Sequence, residues 1–224
     1  MKTTFARITF VLVASAALAT TLATTFALGG CSSSESQAVK RSEKTVDSLA
    51  EFRSQLVSAG TQLDRTMTSL DGVISASGDR KKAFERYMKD VAALKKQGEE
   101  AKSRADDLRS RSREYVAKWQ KEVSSVSNPE LKAQAEARRA KVQDRIDEVE
   151  ADAAAAKNAY VPLMKNLTDI QTVLANDLSA AGVQGVAPVA AAARQDAAAL
   201  KQSLDVFVGE LDSLIGQIGP KSQG

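Results

Sequence analysis

The sequence contains no histidine, a single cysteine and few aromatic residues, which make up only 4% of its 224 residues. A chain without histidine cannot form the histidine-dependent triads of most hydrolases or use a histidine general base. One cysteine cannot form a disulfide within the chain, and no metal site based on His and Cys can be assembled. Gly-rich phosphate loops, GxSxG elbows and SxxK sequences are absent as well. We therefore predict that the protein is not an enzyme and has no catalytic residue, no cofactor and no metal site.

Glycine and proline are also scarce, with 12 and 4 occurrences, whereas Ala, Lys, Glu, Gln, Asp, Arg and Leu dominate. This composition favours long helices over sheets. Because aromatic side chains are rare, the core must consist of narrow seams of Leu, Val, Ile and Ala. The sequence therefore predicts an all-α fold, an elongated antiparallel helical bundle or coiled coil of three to four long helices. This bundle should cover residues 38–218 and end in a frayed tail at 219–224.

Acidic and basic residues are nearly balanced, and the formal net charge is +3. Lys2 and Arg7 precede Cys31 and no acidic residue does, so the chain from Cys31 onward carries 29 basic and 28 acidic side chains. A near-neutral body lacks the positive field that draws proteins to nucleic acid. We expect no nucleic-acid partner, and no small-molecule substrate is evident.

Residues 1–30 have the pattern of a secretory signal peptide. Lys2 and Arg7 precede an uncharged, largely apolar stretch from Ile8 to Leu28, as in the charged and apolar regions of such signals. The stretch is long enough to span a membrane as a helix. Its threonine-rich interior and the small residues after it favour a cleaved signal, and an uncleaved anchor is the alternative.

The sequence Leu28-Gly29-Gly30-Cys31 resembles the lipobox that lipoprotein signal peptidase recognises: an aliphatic residue, two small residues and the cysteine that is acylated. It predicts recognition of Leu28, Gly29 and Gly30 by the peptidase and lipidation of Cys31. Acyl chains on Cys31 would hold the mature protein in a membrane. Residues 31–37 would form the lipidated N-terminus and a flexible tether. Ser32, in place of the Asp that favours inner-membrane retention, points to the periplasmic face of the outer membrane.

The first predicted helix carries a heptad repeat of four leucines, which forms a candidate partner-packing seam. Repeats of this kind are typical of coiled coils. Two alternatives are open: the seam pairs with a second chain, or it packs against other helices of the same chain. The leucines are Leu49, Leu56, Leu63 and Leu70.

Asp79 is a predicted N-cap for the second helix, whose apolar stripe runs from Phe84 to Val126 and includes Tyr115 and Trp119. The middle of this stripe is small, and we expect it to be less firmly packed than its ends; its residues are Gly98, Ala101 and Ala105.

The segment Ser127-Asn128-Pro129-Glu130 predicts the start of a third helix, which contains Pro162. Pro162 predicts a kink near Asn158. Residues Gly182 to Gly185 predict a stop and turn before a fourth helix that ends near Ile218.

Acidic pairs such as Asp106 with Asp107, or Asp144 with Glu148, are candidate acid–base groups or ion ligands. Catalytic carboxylates need a desolvated pocket, and these lie among Lys and Arg, so we interpret them as solvated surface.

A basic run is a candidate site for anionic lipids or polymers, but interleaved acidic residues largely cancel its positive charge. The run consists of Arg104, Arg109, Arg111, Arg113, Lys118 and Lys121.

Four segments resemble, in their order and spacing, the bacterial lipoprotein family catalogued as domain of unknown function 2959. They are Tyr115-Val116-Ala117-Lys118-Trp119, Asn128-Pro129-Glu130-Leu131, Tyr160-Val161-Pro162-Leu163-Met164 and Leu174-Ala175-Asn176-Asp177-Leu178-Ser179-Ala180. The resemblance covers about Asp79 to Ile215 and implies a coiled-coil body in the cell envelope, with no established activity. A histidine associated with the segment before Leu174 is absent, so no role of it carries over.

We therefore expect a membrane-anchored cell-envelope lipoprotein whose helical body acts as a structural spacer or scaffold. The alternative is an envelope binding module that recognises peptidoglycan, lipid or a protein. Its expected partners are the membrane, through acylated Cys31, and an envelope protein or a second copy of the chain.

Overall fold

The computed structural model describes residues 32–76 and 78–218, with side chains from Glu43 to Gly216 apart from Ser77. Four long helices account for nearly all of this part of the chain, which contains no strand. They are α1 (Ser32–Ile74), α2 (Arg80–Ser124), α3 (Pro129–Asn176) and α4 (Ala180–Ile218). At 1.5 Å per residue each helix is roughly 60–70 Å long. The all-α prediction is confirmed.

The helices form an antiparallel ring around one core. Short connections join consecutive helices, α1 packs against α2 and α4, and α3 packs against the same two neighbours. Leucine, valine, alanine and phenylalanine side chains from all four helices meet in a single buried cluster. This cluster lies within residues 49–214, so a chain that starts at Ser32 keeps every described helix and the whole described core. The elongated bundle predicted from the sequence is confirmed.

Two of the predicted helix starts are capped as expected. The Asp79 side chain accepts a hydrogen bond from the backbone N–H of Lys82 at 3.0 Å. The Asn128 side chain accepts from the N–H groups of Glu130 and Leu131, at 3.0 and 3.1 Å, and Pro129 is the first residue of α3. These bonds satisfy N–H groups that the first helical turn leaves without partners.

The turn predicted at Gly182–Gly185 is wrong, because both glycines lie inside α4. The chain turns earlier: the Asp177 side chain accepts from the N–H of Ser179 at 2.9 Å, and the Ser179 hydroxyl accepts from the N–H of Gly182 at 3.2 Å. A Cβ at position 182 would overlap the Asp177 carbonyl and lie 2.7 Å from its Cγ. Gly182 thus permits a close approach to the capping residue.

One further boundary differs from the sequence pattern. Helix α1 begins at Ser32, inside the segment 31–37 for which the sequence predicts a tether. No glycine or proline occurs between Ser32 and Gly60, so nothing in this stretch interrupts the helix. Helix α3 is continuous from Pro129 to Asn176 with Pro162 inside it, at the cost of one backbone hydrogen bond.

The leucine seam of α1 packs within the chain itself. Its four leucines have exposed fractions between 0% and 5% and belong to the core that all four helices share. Phe52 lies beside them and meets Phe207 of α4 edge-on, with ring centroids 5.5 Å apart. The intrachain alternative therefore describes the fold, and a second chain could reach the seam only by opening the bundle. The leucines are Leu49, Leu56, Leu63 and Leu70.

Buried polar groups fix the end of the bundle that holds the α1–α2 connection. Gln62 and Thr66 on α1 donate side-chain hydrogen bonds to the carbonyl of Asp90 on α2, at 3.1 and 3.2 Å. On the opposite side, the buried hydroxyl of Tyr87 donates to the carbonyl of Leu167 on α3 at 2.8 Å. Burial raises the pKa of Tyr87, so this hydroxyl stays protonated. These bonds hold α1, α2 and α3 in one register.

Tyr87→Phe removes the hydroxyl that joins α2 to α3. We expect the free energy of unfolding to fall by about 1 kcal/mol, the usual net contribution of one such bond. Tyr115→Phe is the matched control because Tyr115 is 52% exposed, and it should leave stability unchanged. Urea denaturation of both variants measures the difference, and equal effects would contradict this packing.

Candidate functional site: an apolar groove between α2 and α3

The middle of the α2–α3 contact is built from small side chains. Gly98, Ala101 and Ala105 on α2 are only half-buried, although they continue the stripe whose earlier residues are buried. Ala153 and Ala156 face this region from α3. Small side chains cannot fill the space between two helices held apart by larger residues elsewhere. A cavity of about 540 Å³ lies here, in agreement with the predicted looser packing.

The cavity opens between α2 and α3, and α1 and α4 form its floor. Every lining residue from α1 and α4 is buried and apolar, whereas every exposed lining residue belongs to α2 or α3. We call this cavity the α2–α3 groove. Its floor consists of Leu49, Phe52, Leu56, Ala59, Leu200, Leu204, Phe207 and Leu214, and its exposed rim of Glu99, Lys102, Asp106, Arg109, Ala154, Lys157 and Val161.

One end of the groove is closed by Tyr160 of α3. Its hydroxyl donates to the carbonyl of Lys95 at 3.4 Å, and its ring lies directly over Gly98. A Cβ at position 98 would overlap the Tyr160 hydroxyl and lie 2.7 Å from Cε2. Burial, with a smaller effect of the nearby Glu99 carboxylate, raises the pKa of Tyr160. Glycine at position 98 is thus what allows the tyrosine to lie against α2.

The other end is closed by an ion-paired group. Glu150 of α3 accepts from Arg109 at 2.9 Å and from Arg113 at 3.2 Å, both on α2. Glu150 is the least exposed member of this group, with 23% of its side chain accessible. Exposed ion pairs contribute little to stability individually, but a shared carboxylate fixes the separation of the two helices at this point.

The basic run of α2 is largely neutralised, as the interleaved acidic residues predict. Arg104 pairs with Glu51 of α1, and Arg111 pairs with Asp107 one turn away. The rest of the groove rim carries both signs of charge, with Glu99 and Asp106 acidic and Lys102 and Lys157 basic. The rim therefore has no single-sign field that would attract a polyanion.

A second group of charges lies between α3 and α4, outside the groove. Arg145 pairs with Glu148 at 2.6 Å and with Glu210 at 3.3 Å. Desolvation raises the pKa of the neighbouring Asp152, and the carboxylates of Glu210 and Glu148 add to the effect. One Asp152 carboxylate oxygen is buried without a hydrogen-bond partner. Among the described side chains, from Glu43 to Gly216 apart from Ser77, no group of three or more acidic or cysteine side chains is arranged to hold a metal ion.

Some of the site residues predicted from the sequence lie in the groove, and others lie outside it or outside the described residues. Leu28, Gly29, Gly30 and Cys31 lie outside the described residues, so peptidase recognition and lipidation are still predictions. Of the leucine seam, Leu49 and Leu56 form part of the groove floor, while Leu63 and Leu70 lie in the core beyond it.

The sequence pattern misplaced Tyr115 and missed the α3 side of the groove. From Ser112 the stripe of α2 steps by four residues to the buried Val116, and this step turns Tyr115 outward. Trp119 is half-buried and meets Tyr115 edge-on at 5.7 Å. One feature of the sequence does indicate the groove: a second cluster of alanines at residues 153–156. These alanines lie opposite Gly98 and Ala105 because α2 and α3 pack antiparallel.

Comparison with known sequences assigns a family to the bundle. The match to the family described as protein of unknown function (DUF2959) covers residues 32–218, which includes all four helices. The chain belongs to this family. The resemblance in the four sequence segments is thereby confirmed over a longer stretch. No curated protein and no solved structure matches the chain.

Gly98→Ala tests the closed end of the groove against Gly60→Ala in α1, where a Cβ meets no atom within 4 Å. Alanine at position 60 should stabilise the protein by about 0.5–1 kcal/mol, as in other helix interiors. The same change at position 98 should give no gain, because it displaces the Tyr160 ring.

In a Tyr160→Ala background, Gly98→Ala should regain the stabilisation seen at position 60. Thermal unfolding of the two single variants and the double variant completes the comparison. A Gly98→Ala protein as stable as Gly60→Ala with Tyr160 in place would show that the two residues do not touch.

Proposed function

We propose that this protein is a lipid-anchored, non-enzymatic component of the cell envelope whose helical body works as a binding module. Cys31 would carry the acyl anchor, and the body would lie at the periplasmic face of the outer membrane. The lipobox sequence after the apolar stretch supports the anchor. Within the described residues, no helix is both long enough and apolar enough to cross a membrane.

The α2–α3 groove is the observation that carries the binding role. Apolar side chains that line an open groove forgo the packing contacts that a filled core would give them. A spacer could avoid this loss with larger side chains at Ala101 or Ala105, since the floor and both ends of the groove are already built. Concave, mostly apolar pockets of ≈ 300–1,000 Å³ are the usual form of small-ligand sites. The volume of about 540 Å³ falls within that range.

The antiparallel order of the helices gives the groove a defined position in this proposal. The start of α1 and the α2–α3 connection lie at the same end of the bundle, so an anchor on Cys31 would put that end next to the membrane. The groove begins at Leu49, roughly 25 Å along α1 from Ser32 at 1.5 Å per residue. Its mouth would thus face the periplasm, clear of the lipid headgroups.

A structural spacer or scaffold is the second candidate, and the length of the helices favours it. Helices of 39–48 residues make a rod of roughly 60–70 Å. Rods of this kind suit a partner that must be held at a distance from the membrane.

Cys31→Ala tests the anchor in cells that express the full chain. We expect loss of labelling by an alkyne-tagged palmitate analogue and accumulation of an uncleaved precursor, because the acylated thiol is the substrate of lipoprotein processing. Ser34→Ala is the control and should be labelled and processed normally. Normal processing of Cys31→Ala, detected by its mobility on a gel, would overturn the lipoprotein assignment.

Site-specific photo-crosslinking in intact envelopes distinguishes the binding module from the scaffold. A photoreactive residue in place of Val161, at the groove rim, is compared with one in place of Val206, on the exposed surface of α4. The binding role predicts a small adduct at position 161 and none at 206, measured by intact mass. A protein-sized adduct of fixed stoichiometry at either position would favour the scaffold.

A further inference from the structure

We propose that the α2–α3 groove binds the hydrocarbon chain of a single-chain amphiphile, extended along the bundle, with its polar head at the mouth. This inference rests on the proposed binding role and names the ligand class. It follows from the length, the width and the chemistry of the groove.

The groove is long. Its lining runs from Leu94 to Ser112 on α2 and from Ile146 to Val161 on α3. At 1.5 Å per residue these stretches correspond to roughly 25 Å along the helix axes. The ligand that fills it is therefore a linear molecule lying parallel to the helices.

The groove is also narrow. A volume of about 540 Å³ spread over a length of roughly 25 Å gives a mean cross-section of roughly 20 Å². This volume counts the positions that the centre of a water molecule can take, so the side-chain walls stand roughly 8 Å apart once a water radius is added on each side. An α-helix is 10–12 Å wide, which is more than this space admits, whereas an extended alkyl chain fits within it. A partner helix is therefore too thick.

The floor of the groove offers no hydrogen-bond partner to a ligand. All of its buried lining residues are apolar, and the buried polar side chains at Gln62, Thr66 and Ser69 lie outside it. Its half-buried polar side chains, Ser112, Glu150 and Tyr160, belong to the walls and ends. A polar group placed on the floor would lose its hydrogen bonds to water without replacement, so hydrocarbon suits the floor best, through dispersion contacts with Leu, Phe and Ala side chains.

The mouth determines where the head of the amphiphile lies. Lys102 and Lys157, on opposite helices, can meet an anionic head, and Glu99 and Asp106 can meet a cationic one. Because the mouth carries both signs, and Arg109 is already paired with Glu150, the alkyl chain is the part that the site selects. A fatty acid and a lysophospholipid share this chemistry.

The test uses the chain from Ser32 to Gly224, which lacks Cys31 and keeps the whole described core. Titration with 11-(dansylamino)undecanoic acid should give a saturable, one-to-one rise in fluorescence. Hexadecanoate and hexadecanoyl lysophosphatidylcholine are the displacement arms, with octanoate as the short-chain control. Displacement by either long-chain arm, and at least tenfold weaker displacement by octanoate, supports the proposal and identifies the source of the chain.

Ala153→Leu fills the groove from α3, and Ala155→Leu is the matched control on the exposed face of the same helix. We expect at least tenfold weaker binding for Ala153→Leu, unchanged binding for Ala155→Leu, and thermal unfolding of both at or above the original temperature. Ala105→Leu, on α2, repeats the test if Ala153→Leu fails to fold.

Three results would overturn the inference. Equal binding to the two α3 variants would mean adsorption to the surface. Displacement by cholesterol but by no alkyl chain would exclude this ligand class and leave the binding module in place. If neither alkyl chains nor sterols bind, and Val161 yields no small adduct in envelopes, the groove has no ligand and the binding role fails with it.

Discussion

The edge-on contact of Phe52 with Phe207, at 5.5 Å, sets the dimensions of the bundle where the groove lies. These two rings join α1 to α4 and, with the leucines around them, form a floor of large side chains. The other pair of helices meets above that floor through glycine and alanine. Because close-packed cores leave few voids larger than a water molecule, a ring of helices with one bulky side and one small side cannot close everywhere. The groove follows from this mismatch.

Ion pairs also hold α1 and α4 together more extensively than α2 and α3. Ion pairs join α1 to α4 along much of their length, between Arg53 and Asp212, Asp64 and Lys201, and Asp71 and Arg194. Among the described side chains, the ion pairs between α2 and α3 are those of Glu150 with Arg109 and Arg113, at one end of the groove. Each exposed pair contributes little, but a row of them disfavours sliding or separation of α1 and α4. If the bundle opens to admit a ligand, α2 and α3 are the helices that can move apart.

The periodicity of apolar residues was sufficient to predict the helical bundle but not to predict the groove. Leu49, Leu56 and their heptad partners indicate a buried seam whatever covers it, because burial depends on one helix alone. The groove depends on which helices are neighbours, and single-helix periodicity does not contain that information. The turn after α3 was misplaced for a related reason: glycine in a helical pattern suggests a stop, whereas Gly182 makes room for Asp177. Tyr115 faces outward because one step of four residues replaced a step of three.

The ends of the bundle are fixed by polar contacts, whereas its middle is shaped by the size of the side chains. Asp79 and Asn128 satisfy helix-terminal N–H groups, and Tyr87 joins α2 to α3 inside the core. Gly98 lies under Tyr160, although alanine would be the better helix former there. Only glycine allows the close approach that closes this end of the groove. The chain thus accepts a lower helix propensity at this position and gains a closed end, an arrangement that suits the proposed binding role.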